Sequence, residues 1–169
     1  MENTANENAK TWGQKWVEFA VNAKTEKDWD KWETGKNEFA FEFGSCWNQT
    51  IEYKVNDFEA EVGFFIDVLG FDCNSISEDY AMLMGPKKEC FFSVRKPKEN
   101  ESATPADAIT IEFMLADIFE TAKKLSDRGI ELTKEVSMDV PDYPLYDAKF
   151  QTPNGLSVRV WCFDPKSKQ

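Results

Sequence analysis

From Thr50 to Val55 polar and apolar residues alternate, so that Ile51, Tyr53 and Val55 fall on one face of an extended segment and Thr50, Glu52 and Lys54 on the other. The alternation predicts a strand over 47–55 with one buried and one polar face. The period then changes. Asp57 is placed to cap a helix over 58–69, in which Phe58, Val62, Phe65, Ile66 and Leu69 form an apolar stripe and Gly70 supplies the C-terminal turn. Three short runs at 71–77, 80–84 and 89–95, separated by Glu-Asp and Gly-Pro turns, complete a unit of strand, helix and three strands.

After 96–107, where Pro97, Pro105 and small or charged residues read as a linker, the same grammar returns. A strand over 109–115 turns Ile111, Phe113 and Leu115 to one side and Thr110, Glu112 and Met114 to the other. Asp117 is placed to cap a helix to about Arg128, with Ile118, Ala122 and Leu125 inward, and Gly129 ends it. Strands are predicted at 130–138, 148–152 and 156–163, with a proline-containing loop at 139–146 and a Pro153-Asn154-Gly155 turn before the last. Thr50, Ile51, Glu52, Tyr53 and Asp57 match Thr110, Ile111, Glu112, Phe113 and Asp117 at one constant offset, and Gly70 matches Gly129 after a slip of one residue. The chain therefore reads as an α+β protein built from two βαβββ modules, at 47–95 and 108–163, with a tail at 164–169.

Residues 1–46 form a helical extension in this reading. Trp12, Trp16, Phe19 and Ala20 recur at helical spacing as far as Ala23, Thr25 is a candidate cap for a second segment carrying Trp29 and Trp32, and 39–43 reads as a strand. These tryptophans need a surface to cover, either as a staple onto the main domain or a partner subunit, or as an aromatic lid over a ligand.

Composition narrows the chemistry. A net charge of −11 argues against nucleic acid and anionic membranes, which call for a basic footprint. The chain has no histidine, which removes the commonest transition-metal ligand and the usual general base near neutral pH. Cys46, Cys73, Cys90 and Cys162 lie apart without a Cys-x-x-Cys spacing, as suits reduced thiols. With no run of eighteen apolar residues and no signal-like N-terminus, the expectation is a cytoplasmic protein.

The repeat, the Asp after each first strand, Leu69-Gly70-Phe71 and the closing Thr152-Pro153-Asn154-Gly155-Leu156-Ser157-Val158-Arg159-Val160 together resemble the vicinal oxygen chelate superfamily. That group includes glyoxalase I, bleomycin-resistance proteins, fosfomycin-modifying enzymes and extradiol dioxygenases. The resemblance implies two βαβββ units curled into a cup, helices outside, a ligand between the units, and a homodimer. It also implies metal positions on the first strands, here Thr50 and Thr110, and on each last strand, in the second unit Arg159. Hydroxyls are poor ligands and a guanidinium cannot bind a cation, so neither metal nor other cofactor is expected.

Strand parity puts Thr50, Glu52, Thr110, Glu112, Ser157, Arg159 and Trp161 on the predicted cup face. Two acids and one arginine there imply either an Arg159 pair with Glu52 or Glu112, or an acid that is neutral or meets a cationic ligand. The resulting expectation is a metal-free, bleomycin-resistance-like protein that binds a small cationic or aromatic molecule through Thr50, Glu52, Thr110, Glu112, Arg159 and Trp161, with antibiotic sequestration as one form of it. The alternative is a lyase, isomerase or dioxygenase of the same fold, using Glu52 or Glu112 as base or an atypical metal site.

Overall fold

The computed structural model describes residues 11–31, 40, 50–88, 90–138 and 143–163. The chain divides into two compact units, Met1–Phe43 and Gly44–Gln169. In the first, helix α1 (Trp12–Asn22) begins at Thr11, whose hydroxyl accepts from the Gln14 N–H while the Gln14 side chain accepts from the Thr11 N–H. A single turn, α2 (Glu26–Trp29), follows Thr25. The side chains of Trp12, Trp16 and Trp29, the whole of Trp32 and Trp47, and all but Ala40 of the strand predicted at 39–43 lie outside the described residues.

The second unit contains both predicted modules. In the first, β1 (Ile51–Lys54), α3 (Phe58–Gly63), β2 (Asp72–Ile76), β3 (Tyr80–Met84) and β4 (Phe91–Arg95) form a sheet of order β1-β4-β3-β2. In the second, β5 (Thr110–Met114), α4 (Ile118–Asp127), β6 (Lys134–Met138), β7 (Leu145–Gln151) and β8 (Ser157–Phe163) give the order β5-β8-β7-β6. In each, first and last strands run parallel and the other neighbours antiparallel. That topology is an α+β fold of two βαβββ modules. Relative to the sequence reading, β6 is shorter, starting at Lys134, and β7 is longer, starting at Leu145.

The helix caps form as the aspartates predict. Asp57 accepts from the Ala60 N–H, and Asp117 from the N–H groups of Phe119 and Glu120. One difference stands out after α3, where Phe64–Leu69 winds as a π-helix before Gly70 closes it in a left-handed conformation at φ 85°. The segment between Asp57 and Gly70 is one residue longer than that between Asp117 and Gly129, and a wider turn takes up that residue without moving either end.

The core forms from the apolar faces of both sheets. Tyr53, Val55, Phe58, Phe65, Leu83, Phe92 and Val94 are buried in one cluster, and Ile118, Leu125, Phe150, Val158, Val160 and Cys162 in the other. Phe64, Leu69, Ile111 and Phe113 pack against both clusters, so the modules share apolar contacts. Phe113 lies 5.5 Å from Phe71 and 6.4 Å from Phe92 between ring centres. No helix among the described residues is long and apolar enough to cross a membrane.

A polar clamp adds to this joint. Glu61 is fully buried, and its carboxylate accepts from the Tyr53 hydroxyl at 3.0 Å and from the Asn154 side chain at 2.9 Å. The Asn154 side chain also accepts from the Asp57 N–H at 3.0 Å and donates to the Asp57 carbonyl at 2.8 Å. The turn before β8 thus closes the start of α3, a helix of the other module.

Candidate functional site

β1 and β5 each lie at one edge of their sheet, and residues of both line one cavity of about 350 Å³. Its walls are largely apolar: Ile51, Tyr53, Phe91 and Phe92 from the first module, and Ile109, Ile111 and Phe113 from the second. Thr110 and Glu112 supply its polar side. Tyr53 shows its ring to the cavity but not a titrating hydroxyl, because burial, and then the neighbouring Glu61 carboxylate, push its pKa well up.

The strand edges carry polarity of their own. The Lys54 N–H and C=O turn away from β4 and bond the Thr104 hydroxyl and N–H at 2.9 and 2.8 Å, whereas the Val55 N–H points to the Arg95 carbonyl. Alternation therefore turns the main chain of Glu52 to the same outer edge as Lys54. In β5 the Leu115 N–H bonds the Trp161 carbonyl, which leaves the main chain of Glu112 on the outer edge.

The predicted site residues divide into two groups. Glu112 meets Arg159 at 3.4 Å, but the stronger partner of Arg159 is Asp147, whose Oδ2 accepts from Nε at 2.8 Å. Asp147 is fully buried and also takes Lys134. Burial opposes its charge, yet the hydrogen bonds and charges of Lys134 and Arg159 outweigh that and hold its pKa below the usual 3.8. The Arg159 pKa is raised, with its bond to Asp147 as the largest cause. Trp161 packs edge-on against Phe163 at 5.6 Å.

Glu52 belongs elsewhere. Its carboxylate accepts from Arg95 Nε at 2.7 Å, and Arg95 is gripped by Glu101, with Nη2 donating to Oε1 at 2.9 Å. Of the two pairings predicted for Arg159, the one with Glu112 forms and the one with Glu52 does not, since Glu52 and Arg159 belong to separate networks, one per module. Thr50 is exposed, just before β1. The segment 96–107, read as a linker, is fastened at Glu101 to Arg95 and at Thr104 to Lys54.

Register also locates the last-strand position in the first module, where Glu52 lies opposite Ser93 as Glu112 lies opposite Arg159. Ser93 is buried, with its hydroxyl 2.9 Å from that of Tyr80. The four positions implied as metal ligands are thus Thr50, Ser93, Thr110 and Arg159. This donor set does not fit a divalent cation, since it offers three neutral hydroxyls and a guanidinium already bound to carboxylates. Among the described residues, no three carboxylates or thiols converge as a metal cluster.

No protein-family model matches the sequence, and no curated protein matches it. The fold does match solved structures. A glyoxalase/bleomycin resistance protein/dioxygenase from Nocardioides superposes with a TM-score of 0.56 at 18% identity, covering 71% of this chain and 84% of its own. The chain has the vicinal oxygen chelate fold. Lactoylglutathione lyase from Agrobacterium tumefaciens matches with a TM-score of 0.54 at 17% identity, over 70% of this chain and 94% of that one. TnmS3, an antibiotic binding protein from Streptomyces sp. CB03234, matches with 0.56 at 16% identity, over 75% of this chain and all of its own.

Proposed function

We propose that this vicinal oxygen chelate-fold protein binds a small, flat organic molecule with a cationic end in the cavity between its modules, without a metal. The observation that carries this reading is the cavity itself, at about 350 Å³ within the range of small-molecule sites, with aromatic walls and Glu112 among its lining residues. Glu112 is 45% exposed at its side chain, and its single long contact with Arg159 leaves one oxygen without a partner among the described residues. That oxygen is available to an ammonium or amidinium group, while Tyr53, Phe92 and Phe113 suit an apolar ring.

The likeness to an antibiotic binding protein supports sequestration as the biological form of this activity. The cavity volume favours a compact aromatic cation, or one flat portion of a larger antibiotic, over a whole glycopeptide. The alternative general-base role draws less support, because Glu52 is tied to Arg95 at 2.7 Å and Glu112 neighbours Arg159.

The test is calorimetric titration with proflavine as a flat cationic probe and with bleomycin, before and after chelation with EDTA. Binding that survives chelation and weakens in Glu112→Gln supports the proposal. Failure of both compounds to bind, or binding that requires added metal, would contradict it.

A further inference from the structure

A second cavity, of about 260 Å³, lies between the end of the π-helical segment and helix α4. Phe71, Phe113 and Phe150 form apolar walls, Leu69 closes one side, and Lys124 and Arg128 reach it from α4 and the residue after it. No acidic residue lines it among the described residues. It is distinct from the first cavity, with which it shares only Phe113 among the described residues.

Arg128 is the unusual member. Its Nη1 donates to the carbonyls of Val68 and Leu69 at 2.6 and 3.2 Å, groups at the end of the π-helical turn. These neutral acceptors fix the guanidinium in place without cancelling its charge. Among the described residues no carboxylate pairs with Arg128, and Nη2 and Nε keep their donors. Lys124, by contrast, is paired with Glu120 at 2.6 Å. A fixed, uncompensated guanidinium at an apolar cavity is complementary to one ligand type, an acidic head on an alkyl tail. The net charge of −11 repels anions in general, so a carboxylate would be retained only where local cation and apolar wall act together.

We infer that this cavity binds a medium-chain fatty acid, its carboxylate on Arg128 and its alkyl chain among Phe71, Phe113 and Phe150. The π-helical segment contributes by presenting the two carbonyls that hold Arg128, in keeping with the frequent placement of such turns at functional sites.

The experiment is calorimetric titration of the full chain with sodium octanoate, with octyltrimethylammonium as the charge-reversed control. Methyl NMR of the same titration reports location. Octanoate should bind and the cation should not, and the shifts should fall on the methyls of Leu69 and Leu125 and spare Ile51 and Ile109 of the other cavity. Arg128→Gln should weaken octanoate binding about tenfold, the scale of one charge-assisted hydrogen bond, and Arg128→Lys should recover part of it. Absence of octanoate binding, equal binding of both amphiphiles, shifts confined to Ile51 and Ile109, or an affinity unchanged in Arg128→Gln would each overturn the assignment. Should Arg128→Gln fail to fold, Arg128→Lys and the methyl shifts decide the matter. None of these readouts depends on proflavine binding, so the two proposals fail separately.

Discussion

Asp147 and Arg159 meet diagonally across the β7–β8 pair, each two residues from the other's register partner, the guanidinium Nε donating at 2.8 Å to a carboxylate with no solvent exposure. Asp147 is the hub of this network because Lys134 and Arg159 both converge on it. Its removal leaves two cations without their buried counter-ion. Asp147→Ala is expected to cost ~3 kcal/mol, the low end for a broken buried pair because both cations keep partial access to water. Arg159→Ala should cost less, since Lys134 still neutralises Asp147. Urea denaturation of the two variants checks the ranking, and equal stability of Asp147→Ala and wild type would remove the structural role.

The same carboxylate sets an acid limit. Its folded-state pKa is depressed, so the unfolded chain binds a proton more readily than the folded one as pH falls below the usual 3.8. The stability it contributes is therefore complete above that value and is lost as pH drops through the lower folded pKa. Thermal melts between pH 5 and pH 2 should show a steep loss, shallower in Asp147→Asn. Identical slopes in the two proteins would exclude Asp147 as a source.

The Tyr53–Glu61–Asn154 clamp predicts a loss that apolar packing would not. Tyr53→Phe keeps the ring but leaves a buried Glu61 oxygen without its donor, at a cost of ~1–3 kcal/mol. Asn154→Ala removes several bonds to Asp57 and Glu61 together and should also increase amide exchange at the start of α3. Proflavine affinity should change little in Tyr53→Phe, because the cavity keeps its shape. A large affinity change without a stability change would place the hydroxyl in the site instead.

Filling the first cavity separates binding from folding. Ile51 is 55% exposed and lines the cavity, so Ile51→Trp can occupy space without disrupting buried packing. Proflavine binding should fall at least tenfold, with stability within ~0.5 kcal/mol as for a surface substitution. Unchanged affinity would move the ligand elsewhere.

Much of the fold could be read from the chain because two local signals agreed: strand alternation set the exposed Thr110, Glu112 and Met114 against their more buried neighbours, and Asp57 and Asp117 marked both helix starts. Polar partners were harder to find. Asp147 falls between the loop predicted at 139–146 and the strand predicted at 148–152 and is assigned to neither, although Leu145, Asp147 and Lys149 do alternate with Tyr146, Ala148 and Phe150. Glu61 sits three residues after Phe58 and one before Val62, inside the apolar stripe, and that placement was a signal for a buried acid. The partition of Glu52 from Arg159 had no local signature, because it depends on Arg95, two residues beyond the register partner Ser93, reaching back to β1.

The extra residue between Asp57 and Gly70 shows how the repeated halves tolerate unequal lengths. A surplus residue placed in a loop would leave the helix unchanged, whereas here the helix widens and both of its attachment points to the sheet are preserved. The widened end turns the Val68 and Leu69 carbonyls toward Arg128, the residue before the matching glycine of the other half. A change of length in one copy has thereby become a cross-link to its twin, and the two halves have ceased to be interchangeable.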